Sequence, residues 1–402
     1  MAKSPQHVKE FLGKLQDSLK EYGKKELPTL LEMKKEFEPN ATQVDSWDLH
    51  FCKNQLLKTR FKVDRDLVKE YFPLDHVTAK MLDIYQDVLN LDFERVKHDL
   101  QPWNHETPED VKLIRVRDRD SKELMGYFYL DLFPRTGKYS HAACFPLQPG
   151  CKLEGDKYQV PVAAMVANFS KPTASSPSLL RHSELTTYFH ELGHVMHCIC
   201  SKTKWARFHG TSVEGDFVEA PSQMLENWCW DASVLKKLSS HHVTKETIPD
   251  DLTKSLILAK NAGVGMFYLR QLFFGVFDMH IHSIEKDEKC DTTELYLKLR
   301  KEVSLVGGQQ GTYPASTFGH LMGGYDAGYY GYLWSEVFSS DMFVTKFKPL
   351  ADIAAPKAGA DYRKYILRPG SSRDGMDMLK DFLGREPSQD AFQDSIKLPN
   401  VP

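Results

Sequence analysis

The sequence predicts an α+β fold that is predominantly helical and carries one small β-sheet. Three observations lead there. Apolar residues near the start recur at helical spacing, the period drops to two between about 111 and 169, and helical spacing returns beyond about 180. Helices, one sheet and then more helices make the sheet the minor partner.

In the first element, Val8, Phe11, Leu12, Leu15 and Leu19 mark one apolar helix face. Shorter helical patterns follow at 30–37, 47–57 and 77–91, separated by Pro28, Pro39 and Pro73, because proline interrupts the helical hydrogen-bond ladder. The strand patterns open with Val111, Leu113, Ile114 and Val116, ahead of a charged turn at 118–122. Tyr127, Tyr129 and Leu132 follow, then a turn signal at 134–137, then 142–145 and 160–169. This predicts three to five strands. From Leu180 onward the chain reads as helical, apart from a Gly- and Tyr-rich interruption at 307–332. Three regions are expected: helices at 1–105, a sheet with metal-binding helices at 106–240, and helices with the Gly/Tyr-rich segment at 241–402.

Composition narrows the function classes. Lys plus Arg number 52 and Asp plus Glu 55, a net charge of -3, so nucleic acid and anionic membrane surfaces are not the expected partners. The charged run at 20–26 mixes both signs and suits a solvated helix end. No apolar stretch approaches the ~18–20 residues of a membrane span, and the start, MAKSPQHVKEFLGKL, has no apolar core of a signal peptide. Seven scattered cysteines then read as free thiols of a cytoplasmic protein.

The segment 185–200 reads LTTYFHELGHVMHCIC. Leu185, Phe189, Leu192, Met196 and Ile199 form an apolar stripe, which makes this a helix with one face in a core. His190 and His194 lie off that stripe, one turn apart, as two ligands of a tetrahedral zinc require. Glu191 beside them is placed as general base toward a water that the metal activates. His197 sits about 10 Å along the axis from His190, too far to share one metal, and is read as a packing or supporting residue. A third ligand must come from another element. The segment 210–230 offers Glu214, Asp216, Glu219 and Glu226; with a helix opening at Asp216, Glu219 is the one able to face the first helix.

The runs HELGHVMH at 190–197, GTSVEGDFVEAPSQMLENW at 210–228 and FGHLMGGYDAGYYGYLWSEVF at 318–338 resemble the thimet oligopeptidase and neurolysin family of zinc oligopeptidases. The likeness extends over essentially the whole chain. It implies a zincin-type catalytic domain, a small sheet beside the HExxH helix, and one zinc ion held by His190, His194 and Glu219 with Glu191 as base. It further implies Tyr332 as oxyanion donor, with His320, Tyr325 and Tyr329 in substrate binding. Read without the resemblance, the clustered tyrosines pack a turn. The implied activity is zinc-dependent hydrolysis of short unstructured peptides; a zinc-containing peptide-binding fragment without turnover is the alternative. By analogy with zinc peptidases that bind an extended peptide along a sheet edge, 160–169 is read either as that edge or as an ordinary core strand.

Two departures from the family pattern stand out. The resemblance covers only the C-terminal, catalytic portion of longer relatives, so the wall of a narrow channel is expected to be missing, and the surface it covered to favour self-association. Gly215 stands where relatives carry a larger polar residue in VExDFVEAPSQ, which is expected to alter substrate preference.

Overall fold

The computed structural model describes residues 1–97, 103–104, 107–285, 289–349 and 356–397. The helices of the first part are α1 (Pro5–Lys35), α2 (Leu49–Thr59), α3 (Arg65–Lys69) and α4 (Leu74–Leu89). The strands follow as β1 (Leu91–Val96), β2 (Val111–Asp118), β3 (Leu124–Asp131), β4 (Ala143–Gln148), β5 (Cys151–Lys152), β6 (Tyr158–Gln159) and β7 (Val162–Val166). Then come α5 (His182–Cys200), α6 (Glu219–Glu226), α7 (Ala232–Leu238), α8 (Asp250–Leu258), α9 (Val264–Ile281) and α10 (Thr292–Ser304). The chain ends with α11 (Gly331–Lys346), α12 (Pro356–Tyr362), α13 (Gly375–Leu383) and α14 (Asp390–Ser395). The expected helical α+β class holds.

The contacts divide the chain into two units. One comprises 1–64, 254–335 and 392–402, the other 65–253 and 336–391. Within the first unit α1 packs on α9, and within the second the late aromatics Phe343 and Phe347 pack on Trp228. Such pairings join residues more than a hundred positions apart and leave no mark in local periodicity.

In the first unit, α1 runs unbroken through Pro28. The expected break is absent because the apolar stripe continues past it with Leu30 and Met33, both buried, and burying two such side chains offsets the roughly 3 kcal/mol that an interior proline costs. Buried Glu26 accepts from the Gly265 and Met266 amides at 3.1 and 2.9 Å, satisfying the orphan donors that open α9.

In the second unit, Asn90 adopts a left-handed conformation (φ 53°) and ends α4. Residue 91, expected within a helix, therefore opens β1. Among the described residues the main sheet has five strands in the order β1-β2-β3-β7-β4, with β3 and β7 parallel and the other pairs antiparallel. The segment 160–169 is thus not an edge: among the described residues β4 and β1 are the two edge strands, and β7 lies between β3 and β4. Its run of buried Ala163, Ala164, Met165 and Val166 is the signature of a strand covered on both faces.

The helix α5 lies against β3, β4 and β7. Leu185, Phe189, Leu192, Met196 and Ile199, the stripe read from the sequence, are all buried. On another side α4 holds it: the Tyr85 hydroxyl donates to the Phe189 carbonyl at 2.6 Å, and Thr78 and Tyr188 hydroxyls meet at 3.1 Å. These bonds fix the rotation of α5 and hence where its histidines point. No helix among the described residues is long and apolar enough to cross a membrane.

Candidate metal centre

The site is built where α5 and α6 cross. His190 and His194 project from one side of α5, and Glu219 is the first residue of α6. The helix starts three residues later than the sequence indicated, with Pro221 in its first turn, where a missing amide costs nothing. Gly193, between the two histidines, lets α6 approach: a Cβ there would lie 2.9 Å from Ser222 Cα. Ser222 in turn donates to the Glu219 carbonyl at 2.9 Å.

The donors converge. His190 Nε2 and His194 Nε2 are 3.1 Å apart, and each is 3.1 Å from Glu219 Oε2. A tetrahedral zinc with bonds of about 2.0–2.1 Å spaces its ligands about 3.3–3.4 Å apart, so this triangle needs only slight expansion to seat a metal. Among the described residues this is the cluster able to hold one. Glu226 Oε1 lies 2.7 Å from His190 Nδ1. A proton on Nδ1 shared with that carboxylate leaves the Nε2 lone pair aimed at the metal position. The fit is therefore to the donor set as well as to its spacing.

Electrostatics follow from burial and pairing. Burial opposes charge on Glu219, but His194 and His190 outweigh it and hold its pKa well below the usual range. Burial likewise opposes charge on His190, and its bonds to Glu219 and Glu226 reverse the balance, leaving its pKa well above that of free histidine. Glu191 is only 8% exposed, and burial raises its pKa against the pull of His190 and His194.

The other candidates fall into place individually. His197 is fully buried with neither ring nitrogen bonded, and burial lowers its pKa to about 3, so it packs as a neutral ring. Glu214 accepts from the Gly375 amide at 3.0 Å and ties its loop to α13; Asp216 is buried at the approach to α6. A Cβ on Gly215 would meet nothing within 4 Å. The partner that sequence reasoning missed is Glu226 as the His190 acceptor. The signal was its position seven residues after Glu219, two turns on along the same face of α6.

The residues expected from the Gly/Tyr-rich segment belong to the first unit, and they cluster. Tyr325 stacks on Tyr332 with centroids 5.1 Å apart, and His320 lies 5.7, 5.2 and 5.8 Å from Tyr325, Tyr329 and Tyr332. Gly324, at φ 91°, takes a turn that few other residues adopt. His320 is exposed and Tyr325 and Tyr332 are partly so, whereas Tyr329 is 6% exposed and donates its hydroxyl to Gln271 at 2.8 Å.

A His-Glu-x-x-His on one helix and a glutamate from the next thus bring together three donors able to hold a metal ion. Comparison with known proteins makes the assignment specific. Residues 1–398 match the pattern of Peptidase family M3, and the chain belongs to that family. It is 42% identical over 409 residues to the thimet-like oligopeptidase of Dictyostelium discoideum, covering 99% of this chain and 60% of that protein. Saccharolysin of Saccharomyces cerevisiae is 42% identical over 414 residues, covering 100% and 57%. Oligopeptidase A of Escherichia coli is 33% identical over 396 residues, covering 98% and 57%. The chain thus spans about three-fifths of the length of these relatives. In fold it is similar to Trypanosoma cruzi metallocarboxypeptidase 1, at a TM-score of 0.53 and 11% identity over 98% of this chain and 68% of that one. The M32 carboxypeptidase of Deinococcus radiodurans gives 0.51 at 12% identity, covering 98% and 78%.

Proposed function

We propose that this chain is a zinc metalloendopeptidase that hydrolyses short, unstructured peptides. The observation that carries the reading is the 3.1 Å triangle of His190, His194 and Glu219 with buried Glu191 adjoining it in sequence. His190, His194 and Glu219 would hold one zinc ion, whose Lewis acidity would polarise the scissile carbonyl and ease deprotonation of water. Glu191 takes a proton from the attacking water as the new C–O bond forms, then delivers it to the amine as the C–N bond breaks. Tyr332 donates a hydrogen bond to the carbonyl oxygen as negative charge develops, a task for a phenol that is neutral at pH 7.

His320 and Tyr325 hold the peptide by ring edges and hydrogen bonds. Tyr329 contributes to binding from beneath, through the rings it supports. The edge strand β4, with Phe145 and Leu147 exposed, accepts an extended peptide as an added strand. All seven cysteines are free thiols, which supports a cytoplasmic setting.

The test is incubation of the purified chain with a peptide of about ten residues, fragments being read by mass spectrometry with and without a chelator. Cleavage that a chelator abolishes and zinc restores is the expected result. Bound zinc without cleavage would replace this reading with that of a peptide-binding fragment.

A further inference from the structure

A buried carboxylate outside the metal centre lacks an explanation in helix packing alone. Asp278, on α9, is completely buried. Its Oδ1 accepts from the Ala327 amide at 2.8 Å and its Oδ2 from the Tyr329 amide at 2.9 Å. His282 Nδ1 lies 2.8 Å from the same Oδ1. Burying a carboxylate is costly unless it is paired and hydrogen-bonded, and here the bonds go to alternate amides of one irregular segment. Ala327 adopts a left-handed conformation (φ 53°), unfavourable for a residue with a Cβ unless its surroundings hold it.

The same face of α9 grips the segment at two further points. Gln271, two turns before Asp278, receives the Tyr329 hydroxyl at 2.8 Å, and Phe274 between them meets the Tyr329 ring with centroids 5.3 Å apart. Tyr329 therefore spends both its amide and its hydroxyl protons on α9. Its ring in turn abuts Tyr332 at 5.3 Å and His320 at 5.2 Å.

We propose that Asp278 and Gln271 are positioning residues: together they clamp Tyr329 to α9 and thereby set the placement of Tyr332 and His320 for the reaction. This rests on the reading of Tyr332 as the oxyanion donor, and the test separates the two. Amide hydrogen exchange across 323–332, bound zinc, kcat and KM are measured for the full chain and for Asp278→Ala, Asp278→Asn, Gln271→Leu, Tyr332→Phe and Asp278→Ala/Tyr332→Phe. Asp278→Ala is expected to speed exchange at 327 and 329 and to lower kcat, each roughly ten-fold or more, with bound zinc unchanged and KM moving far less. Asp278→Asn, retaining one acceptor, should fall between the two. Tyr332→Phe should cost much less in the Asp278→Ala background than alone, because a displaced phenol has little left to lose.

Should Asp278→Ala not fold, Gln271→Leu removes only the acceptor for the Tyr329 hydroxyl and carries the same exchange and kcat measurements. Unchanged exchange in both variants would overturn the clamp. Equal Tyr332→Phe costs in both backgrounds would overturn its link to chemistry. A silent Tyr332→Phe beside faster exchange would sink the oxyanion reading while upholding the clamp.

Discussion

Gly193 and Ser222 stand so close that a Cβ on Gly193 would lie 2.9 Å from Ser222 Cα. The contact sets how near α6 comes to α5, and hence that Glu219, three residues before Ser222, completes a triangle with His190 and His194. Glycine here serves the candidate metal centre by what it lacks.

Gly193→Ala should therefore push α6 outward. The expected cost in stability is about 1–3 kcal/mol, as for other overpacked sites, and the larger effect should fall on metal binding, because the Glu219 oxygen moves with its helix. Thermal unfolding of the metal-free chain and zinc content after dialysis separate the two effects. Full zinc retention would show that the α5–α6 distance is not what assembles the site.

Glu226→Gln keeps the shape of the His190 partner and removes its charge. The bond to His190 Nδ1, 2.7 Å in length, then weakens, and zinc affinity should fall by roughly 10–100-fold, as when such supporting carboxylates are lost elsewhere. A competition titration against a chelating dye reads this directly.

Acid should loosen the second unit at a defined contact. Asp118 accepts from Arg363 at 2.7 Å and from the Ser121 amide at 2.8 Å. Burial opposes its charge, yet these bonds prevail and bring its pKa down from 3.8 to about 2. A depressed folded-state pKa gives stability that is complete above the unfolded value and lost as pH falls through the folded one. The loss is thus expected between about pH 4 and pH 2, and Asp118→Asn should flatten the pH dependence of urea midpoints in that window. Parallel curves for the two proteins would contradict the assignment.

Gly215→Arg fills open space beside the loop that leads into α6. Unfolding midpoints should stay within the small range of surface substitutions, while the bonds cleaved in a mixed peptide set shift toward acidic neighbours. An identical cleavage map would remove Gly215 as a source of preference.

Much of the site was readable in the chain because it is local. The two histidines and Glu191 share one turn of one helix, and the apolar stripe from Leu185 to Ile199 fixes which way they face. Glu219 followed from the geometry of a neighbouring helix, although that helix begins three residues beyond Asp216, where the chain first turns. What escaped depends on distant partners. Pro28 sits within a continuous α1 because Leu30 and Met33 beyond it are buried. Of the two readings of 160–169, the central strand holds because β4 adds outside it. Glu226 was legible only as one of four candidate metal ligands, and Asp278 was not legible at all, since the part each plays depends on the segment folded against it.

The most direct measurement concerns Glu191→Gln, assayed for bound zinc and for peptide turnover on the same sample. The three ligands remain, so zinc should bind at the full level of one ion per chain. Turnover should fall by about 100-fold or more if Glu191 is the base proposed above. Turnover near that of the unaltered chain, with zinc in place, would contradict the assignment of Glu191 as the base.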